Sequence, residues 1–121
     1  MLRFRSQKLS ALFGFLLLAG LAGGASSAEA AVELSPSELI FASKGEAKTI
    51  TITNLGPNAV EIEKMASGST AFFPYEACKG SILPVKGFCN ETVECVKEGV
   101  NAYFTIWTSP PVHANATLMK C

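Results

Sequence analysis

The sequence of 121 residues contains no aspartate, a single histidine (His113) and no arginine beyond residue 5. Without aspartate, the chain lacks the carboxylate that EF-hand loops, Walker B motifs and most catalytic triads use. One histidine excludes any site that needs two imidazoles. Ten basic and ten acidic side chains balance each other, so no basic stripe can follow a nucleic-acid backbone. The composition therefore argues against a nucleic-acid partner, and no motif implies a metal or a cofactor.

The first thirty residues have the three-part layout of a secretory signal peptide. Three basic residues come first (Arg3, Arg5 and Lys8), fifteen residues without a polar side chain follow over 11–25, and residues 28–30 read Ala-Glu-Ala. We expect cleavage after Ala30, with cleavage after Ala28 as the alternative. A spanning helix needs about 20 apolar residues, so the shorter run at 11–25 favours cleavage over retention as an uncleaved anchor. The leader predicts an exported protein (periplasmic, cell-surface or extracellular) with no stable membrane insertion after cleavage.

Removal of residues 1–30 leaves a mature chain of 91 residues with its own charge balance. It contains seven lysines and nine glutamates, for a net charge of −2. Because no arginine remains, the mature surface lacks the planar fork that binds phosphate or carboxylate through two hydrogen bonds.

Residues 31–121 alternate with a period of two, which is typical of β-strands. The segments read as strands are 33–41, 48–53, 59–63, 100–107 and 113–120, and glycine and proline separate them. Pro36 cannot donate to a ladder, so 33–41 is interpreted as an edge strand. The pattern predicts one domain over 31–121, an all-β, immunoglobulin-like two-sheet sandwich of about seven antiparallel strands.

Four cysteines lie in the mature chain, at Cys78, Cys89, Cys95 and Cys121. No Cys-x-x-Cys motif exists, so a zinc knuckle or a redox-active pair is not expected. An even number of cysteines behind a signal peptide predicts two disulfides. Cys89 and Cys95 lie six residues apart on one predicted strand, too far for their sulfurs to meet. The two other pairings remain open on this reasoning.

Residues 78–89 resemble the Cys-x-Gly-x-x-Leu-x-x-x-Gly-x-Cys signature of the choice-of-anchor D family, bacterial relatives of the abnormal-spindle and hydin immunoglobulin-like modules. Residues 34–41 are similar to the opening strand of that family, and residues 48–56 to its second strand and Asn-x-Gly turn. The resemblance implies a disulfide between Cys78 and Cys89, which leaves Cys95 for Cys121. It also implies a spacer or interaction module. The chain departs from the family at Cys95, where the family has a core phenylalanine.

Candidate catalytic groups are few. His113 follows Pro110 and Pro111 in a predicted loop, and no aspartate can orient its ring. Glu91 and Glu94 would face opposite sides of one strand, so we interpret both as surface charges rather than as a glycosidase pair. The sequence therefore predicts a protein that is not an enzyme.

Candidate binding residues lie in and after the last long strand: Tyr103, Trp107, Pro110, Pro111 and His113. If Phe104 points inward, Tyr103 and Trp107 point outward beside a loop stiffened by two prolines, a typical contact surface for protein or glycan. In the other register Trp107 packs into the sandwich end, which is favoured because lone tryptophans are usually buried. The aromatic cluster at 72–75 is expected to cap the core.

The predicted function is a structural or binding module that contacts an unknown protein partner, a second copy of itself or a glycan. Segments 33–41 and 113–120 are the expected places for strand addition. The alternatives are a secreted inhibitor that uses the loop at 108–113 and a periplasmic chaperone-like accessory protein. Asn90 and Asn115 both begin Asn-x-Thr acceptor patterns, which in a bacterial chain are best explained by chance.

Mass spectrometry of the exported protein, reduced and unreduced, tests the processing and the bridges together. We expect a mature chain that begins at Ala31. Without reduction, no cysteine of this chain should react with an alkylating reagent, because all four cysteines are paired. A retained leader or four alkylated cysteines in the native protein would contradict this.

Overall fold

The computed structural model describes residues 30–121, so all of the predicted leader (1–30) except its last residue lies outside the described part of the chain. The described residues form nine strands and no helix: β1 (Val32–Ser35), β2 (Glu38–Ile40), β3 (Ala47–Asn54), β4 (Val60–Ala66), β5 (Phe72–Pro74), β6 (Ile82–Leu83), β7 (Phe88–Cys95), β8 (Asn101–Ser109) and β9 (Thr117–Lys120). Over these residues, no helix is long and apolar enough to cross a membrane.

The strands form two sheets in a sandwich-like arrangement, as predicted. One sheet has the order β1-β3-β7-β5 and the other the order β2-β9-β8-β4-β6. The prediction of about seven antiparallel strands is wrong in two respects. There are nine strands, because β5 and β6 are short additional strands and the segment 33–41 is split. In addition, β2 pairs with β9 in parallel.

The split of segment 33–41 occurs at Pro36, between β1 and β2. β1 pairs with β3 in the four-stranded sheet, whereas β2 pairs with β9 in the five-stranded sheet. The segment therefore crosses from one sheet to the other instead of forming a single edge strand. Thr117 fixes this crossing from the opposite side, because its buried hydroxyl donates to the Pro36 carbonyl oxygen at 2.8 Å.

The core lies between the two sheets and follows directly from the alternation in the sequence. In β3, Ile50 and Ile52 are fully buried, and in β8 Phe104 is fully buried as well. Phe41 and Phe72 pack against each other in this core with ring centroids 5.6 Å apart. Burial of side chains of this size stabilises the fold by about 1.5–3 kcal/mol each.

β7 carries both disulfides on its inward side. Cys89 is bonded to Cys78 and Cys95 to Cys121, with Cα atoms 5.9 and 6.3 Å apart, which is the pairing implied by the family resemblance. Cys121 directly follows β9 of the five-stranded sheet. Cys78 begins a turn that β4 of that sheet holds, since the Gly80 N–H donates to the Ile62 carbonyl at 2.7 Å. Each disulfide therefore links the two sheets.

Glu91 lies between the two disulfides on the inward side of β7 and is fully buried. The prediction that it is a surface charge is wrong, because Cys89 and Cys95 face inward and every second residue between them must do the same. Its carboxylate accepts the N–H groups of Glu76 at 2.5 Å and Cys78 at 2.9 Å. Glu76 has a φ of 62°, so the buried carboxylate holds a left-handed turn immediately before Cys78.

Asn54, the last residue of β3, is a second fully buried polar side chain. Its amide nitrogen donates to the carbonyls of Asn58 at 2.8 Å and Leu83 at 3.0 Å, and its oxygen accepts the Gly56 N–H at 3.0 Å. These bonds satisfy the amide on both sides, as burial requires. Asn54 thereby fixes the 55–59 loop against the strand β6.

Replacement of both Cys95 and Cys121 by alanine should lower the free energy of unfolding by about 3–4 kcal/mol, because the bridge closes a long loop of the unfolded chain. Denaturant unfolding of the oxidised proteins measures the loss. The matched control removes Cys78 and Cys89, whose residues are only 11 apart in sequence compared with 26, and should lose slightly less. An unchanged midpoint for the first double variant would contradict the cross-link's role.

Glu91→Gln should lower the free energy of unfolding by about 2–3 kcal/mol, because an amide NH₂ replaces one of the oxygens that accept backbone N–H groups in a buried site. The control is Glu94→Gln, since Glu94 lies on the same strand but is not buried, and its effect should stay below about 0.5 kcal/mol. Thermal and denaturant unfolding compare the two. Equal losses would show that burial of the carboxylate is not what matters.

Candidate functional site

Tyr103 and Trp107 lie on the outward side of β8 and are 57% and 48% exposed. The favoured expectation that Trp107 packs into the sandwich end is therefore wrong. Phe104, Ile106 and Thr108 take the inward positions of the strand, and successive side chains of a strand alternate. The tryptophan is half-covered because of a neighbour on the sheet surface rather than because of the core.

That neighbour is Lys64 on β4, whose Nζ lies 4.9 Å from the centre of the Trp107 ring. The two residues are cross-strand partners, and a register shift between Ile62 and Lys64 brings the lysine to this position. Tyr103 has Leu118 of β9 as its cross-strand partner. We call the outward surface formed by Tyr103, Trp107, Lys64 and Leu118 the aromatic face.

Pro110, Pro111 and His113 are exposed in the loop that follows β8. The loop is fixed from both sheets. The Thr108 hydroxyl donates to the Pro110 carbonyl at 2.9 Å, and the N–H groups of Ala31 and Val32 both donate to the His113 carbonyl, at 2.9 and 3.1 Å. These three predicted site residues therefore form a fixed projection that continues the strand of Trp107, whereas Tyr103 lies four residues further back.

Asn115 closes the free side of β1 with its side chain. The amide oxygen accepts the Leu34 N–H at 2.8 Å, and the amide nitrogen donates to the Leu34 carbonyl at 2.9 Å. A glycan would replace one of the two hydrogens of this half-buried amide nitrogen. Asn90, by contrast, is exposed on the outer side of β7, where its oxygen accepts the Thr51 hydroxyl at 2.9 Å.

The two predicted places for strand addition differ in the structure. Within segment 33–41, β2 is an edge strand of the five-stranded sheet, so strand addition there stays a prediction. β9 lies between β2 and β8 inside the five-stranded sheet, so the prediction for segment 113–120 is wrong. β1 is an edge strand, but the His113 carbonyl and the Asn115 side chain already occupy its outer side. Contacts with a partner can therefore use the β2 edge, the side chains of a sheet face or the loops.

The aromatic cluster at 72–75 only partly caps the core. Phe72 is buried, but Phe73 and Tyr75 are 56% and 50% exposed, with ring centroids 5.8 Å apart. The Tyr75 hydroxyl donates to Glu94 at 2.9 Å, and this bond raises the pKa of the tyrosine because ionisation would break it. The cluster forms a second, smaller exposed aromatic surface on the other sheet.

The described residues hold no group of three or more His, Cys, Asp or Glu side chains that could bind a metal ion. An open cleft of about 530 Å³ lies between β4 and β5, lined by the short side chains of 66–70 together with Phe73 and Glu76. None of the predicted site residues lines it. The predicted residues that the structure does bring onto one continuous surface are Tyr103, Trp107 and the following loop.

Sequence reasoning missed Lys64, Asn54 and Glu91. Lys64 becomes a neighbour of Trp107 through the register shift in β4, for which the sequence offers no signal. Glu91 had a signal in its even spacing from Cys89 and Cys95. Asn54 had a similar one, since it continues the inward series of Ile50 and Ile52.

No protein-family model matches the chain, and no curated protein matches it. Among solved structures, a protein of unknown function from Porphyromonas gingivalis W83 is similar, with a TM-score of 0.56 and 14% identity over 88% of this chain and 54% of that one. The secreted serine protease VesC from Vibrio cholerae matches with a TM-score of 0.46 and 16% identity over 69% of this chain and 21% of that one. The chain thus spans about half of the first protein and a fifth of the second, and the likeness to the first concerns the fold alone.

Proposed function

We propose that the chain is an exported, disulfide-stabilised immunoglobulin-like module that acts through contact with a protein or a glycan and does not catalyse a reaction. The single observation that carries this proposal is the aromatic face, where Tyr103 and Trp107 stand exposed on a cross-linked sheet. Exposed aromatic rings on a rigid support are the side chains that most often dominate contact energies.

An immunoglobulin-like fold of the choice-of-anchor D type accounts for several features together. The two sheets carry four and five strands, and the connection between β1 and β2 passes from one sheet to the other. The Cys78–Cys89 bond closes the segment that resembles the family signature. Each feature supports the assignment independently of the others.

Export is supported by the two disulfides and by the predicted leader. All four cysteines of the described chain are paired, and disulfides of this kind persist in oxidising compartments. The periplasm, the cell surface and the extracellular medium all provide such conditions.

Contact through the aromatic face suits a protein or sugar partner. Tyr103 and Trp107 are separated by four strand residues, about 13 Å, so one partner can cover both rings. Lys64 adds a positive charge beside Trp107, which favours a partner with acidic groups at that position. A second copy of the chain is a further candidate partner. An inhibitor would instead use the fixed loop at 108–113, next to the aromatic face.

Trp107→Ala and Tyr103→Ala should abolish partner capture while the fold survives. Because both side chains point outward, each substitution should lower the free energy of unfolding by no more than about 1 kcal/mol. Pull-down of cross-linked partners from the envelope fraction, and affinity electrophoresis in soluble polysaccharides, measure capture by the wild type and each variant.

The matched control is Phe73→Ala, which removes a ring of similar exposure (56%) from the other sheet. Capture that survives Trp107→Ala but is lost with Pro111→Ala would place contact in the loop and favour the inhibitor alternative. Capture lost equally with Phe73→Ala would remove the aromatic face from the proposal.

A further inference from the structure

The two ends of the sandwich differ in chemistry. The N-terminal end, where the described chain begins, consists of the loops 55–59 (Leu-Gly-Pro-Asn-Ala), 84–87 (Pro-Val-Lys-Gly) and 110–113 (Pro-Pro-Val-His). The C-terminal end, beside Cys121, consists of the loops 42–46 (Ala-Ser-Lys-Gly-Glu), 67–70 (Ser-Gly-Ser-Thr) and 97–99 (Lys-Glu-Gly). One end is thus apolar and rich in proline, while the other is polar and charged.

The apolar side chains at the N-terminal end form one patch. Leu55, Val85 and Phe88 are 54%, 45% and 63% exposed. The Lys86 N–H donates to the carbonyl of Asn54 at 2.7 Å, which places Leu55 beside residues 85 and 86. Phe88 is the cross-strand partner of Thr53, two residues before Leu55, so Leu55 and Phe88 are diagonal neighbours.

The patch is held rigidly in this exposed position. The buried Asn54 side chain bonds to both adjoining loops, at Asn58 and at Leu83. The patch therefore does not fold back to bury its own apolar surface. A contiguous exposed apolar patch on a small domain marks a contact surface.

The chain arrives at this patch from the predicted leader. The Leu55 N–H donates to the carbonyl of Ala31 at 2.7 Å, so the first described residues lie directly beside Leu55. Ala31 lies six positions after Ala25, where the apolar run at 11–25 ends. A chain of that length spans at most about 20 Å. While the predicted leader is in the membrane, before cleavage, the N-terminal end of the domain would therefore lie within that distance of the bilayer.

We propose that the N-terminal end is a reversible membrane-contact surface that binds a lipid bilayer. Leu55, Val85 and Phe88 enter the boundary between headgroups and acyl chains, as the apolar sides of peripheral proteins do. Lys86 lies among them and pairs with lipid phosphate, while its methylene groups remain in the apolar layer. Other titratable groups of this end are Glu33, one row away from Leu55, His113, and Glu61 of β4, which pairs with Ile82 and Ser109. This surface is distinct from the aromatic face, so the proposal does not rest on the proposed function.

A single tryptophan reporter tests the proposal. In a Trp107→Phe background, Phe88→Trp places the reporter in the patch, and Ile40→Trp places it at the C-terminal end, where Ile40 is similarly exposed at 62%. The full-length chain is expressed with its own leader, and the form that accumulates outside the cytoplasm is used. Vesicles of phosphatidylethanolamine and phosphatidylglycerol, with and without brominated chains, are added.

We expect vesicles to shift the emission of the tryptophan at 88 to shorter wavelength and brominated lipid to quench it, with no change at position 40. Leu55→Ser, added to the position-88 reporter, should weaken vesicle binding about tenfold because an apolar contact is lost. Leu55→Trp is a second reporter if Phe88→Trp fails to fold. The cleaved form is used for this comparison, because a retained leader would by itself hold residue 88 close to the bilayer.

Absence of quenching at 88, or equal quenching at 88 and 40, would overturn the proposal. A blue shift at 88 that grows with protein concentration without vesicles would also overturn it, because a second copy of the chain would then cover the patch. The vesicle result does not depend on whether Trp107→Ala abolishes partner capture, so the two proposals can fail separately.

Discussion

The inward side of β7 is the constraint on which the rest of the structure depends. Within one strand, Cys89 and Cys95 form bonds to the other layer, and Glu91 between them holds the turn that presents Cys78. A small domain of about 90 residues buries a limited core, so covalent links between its layers count for much of its stability. They also fix the register, because a shift of one residue would turn both cysteines and the carboxylate outward.

Because the register is fixed, short edge strands and a few covering groups are enough to protect the edges of the sheets. Asn115 and the His113 carbonyl cover β1, and Pro74 ends the three-residue strand β5. In the other sheet the edge strands β2 and β6 have only three and two residues. Short or covered edges prevent strand addition by other chains. In the proposed function and in the proposed membrane contact, the side chains that project from this frame make the contact: the rings of the aromatic face and the apolar residues of the N-terminal end.

The sequence was sufficient for the two-sheet arrangement, since alternation and turn residues act locally. It was not sufficient where the conformation or exposure of a residue depends on contact with a segment far away in the sequence. The split at Pro36 depends on Thr117, which lies 81 residues away, and the exposure of Trp107 depends on which neighbours fill β8's inward positions. Glu91 was missed for another reason. Its charge favours a surface position, but its place between two inward cysteines turns it into the core, where two backbone N–H groups satisfy the buried carboxylate.

The rigidity of the frame also determines how the two proposed contact surfaces would be used together. The aromatic face lies along the side of one sheet, whereas Leu55 and Phe88 lie at the end where the leader joins the domain. With that end on a bilayer, the strands stand away from the membrane and Tyr103 lies further from it than Trp107, because β8 runs towards the N-terminal end. A partner could then be bound beside the membrane without displacing the lipid contact. A flexible domain could not keep the two surfaces at a fixed angle, which gives the disulfides on β7 a consequence beyond stability.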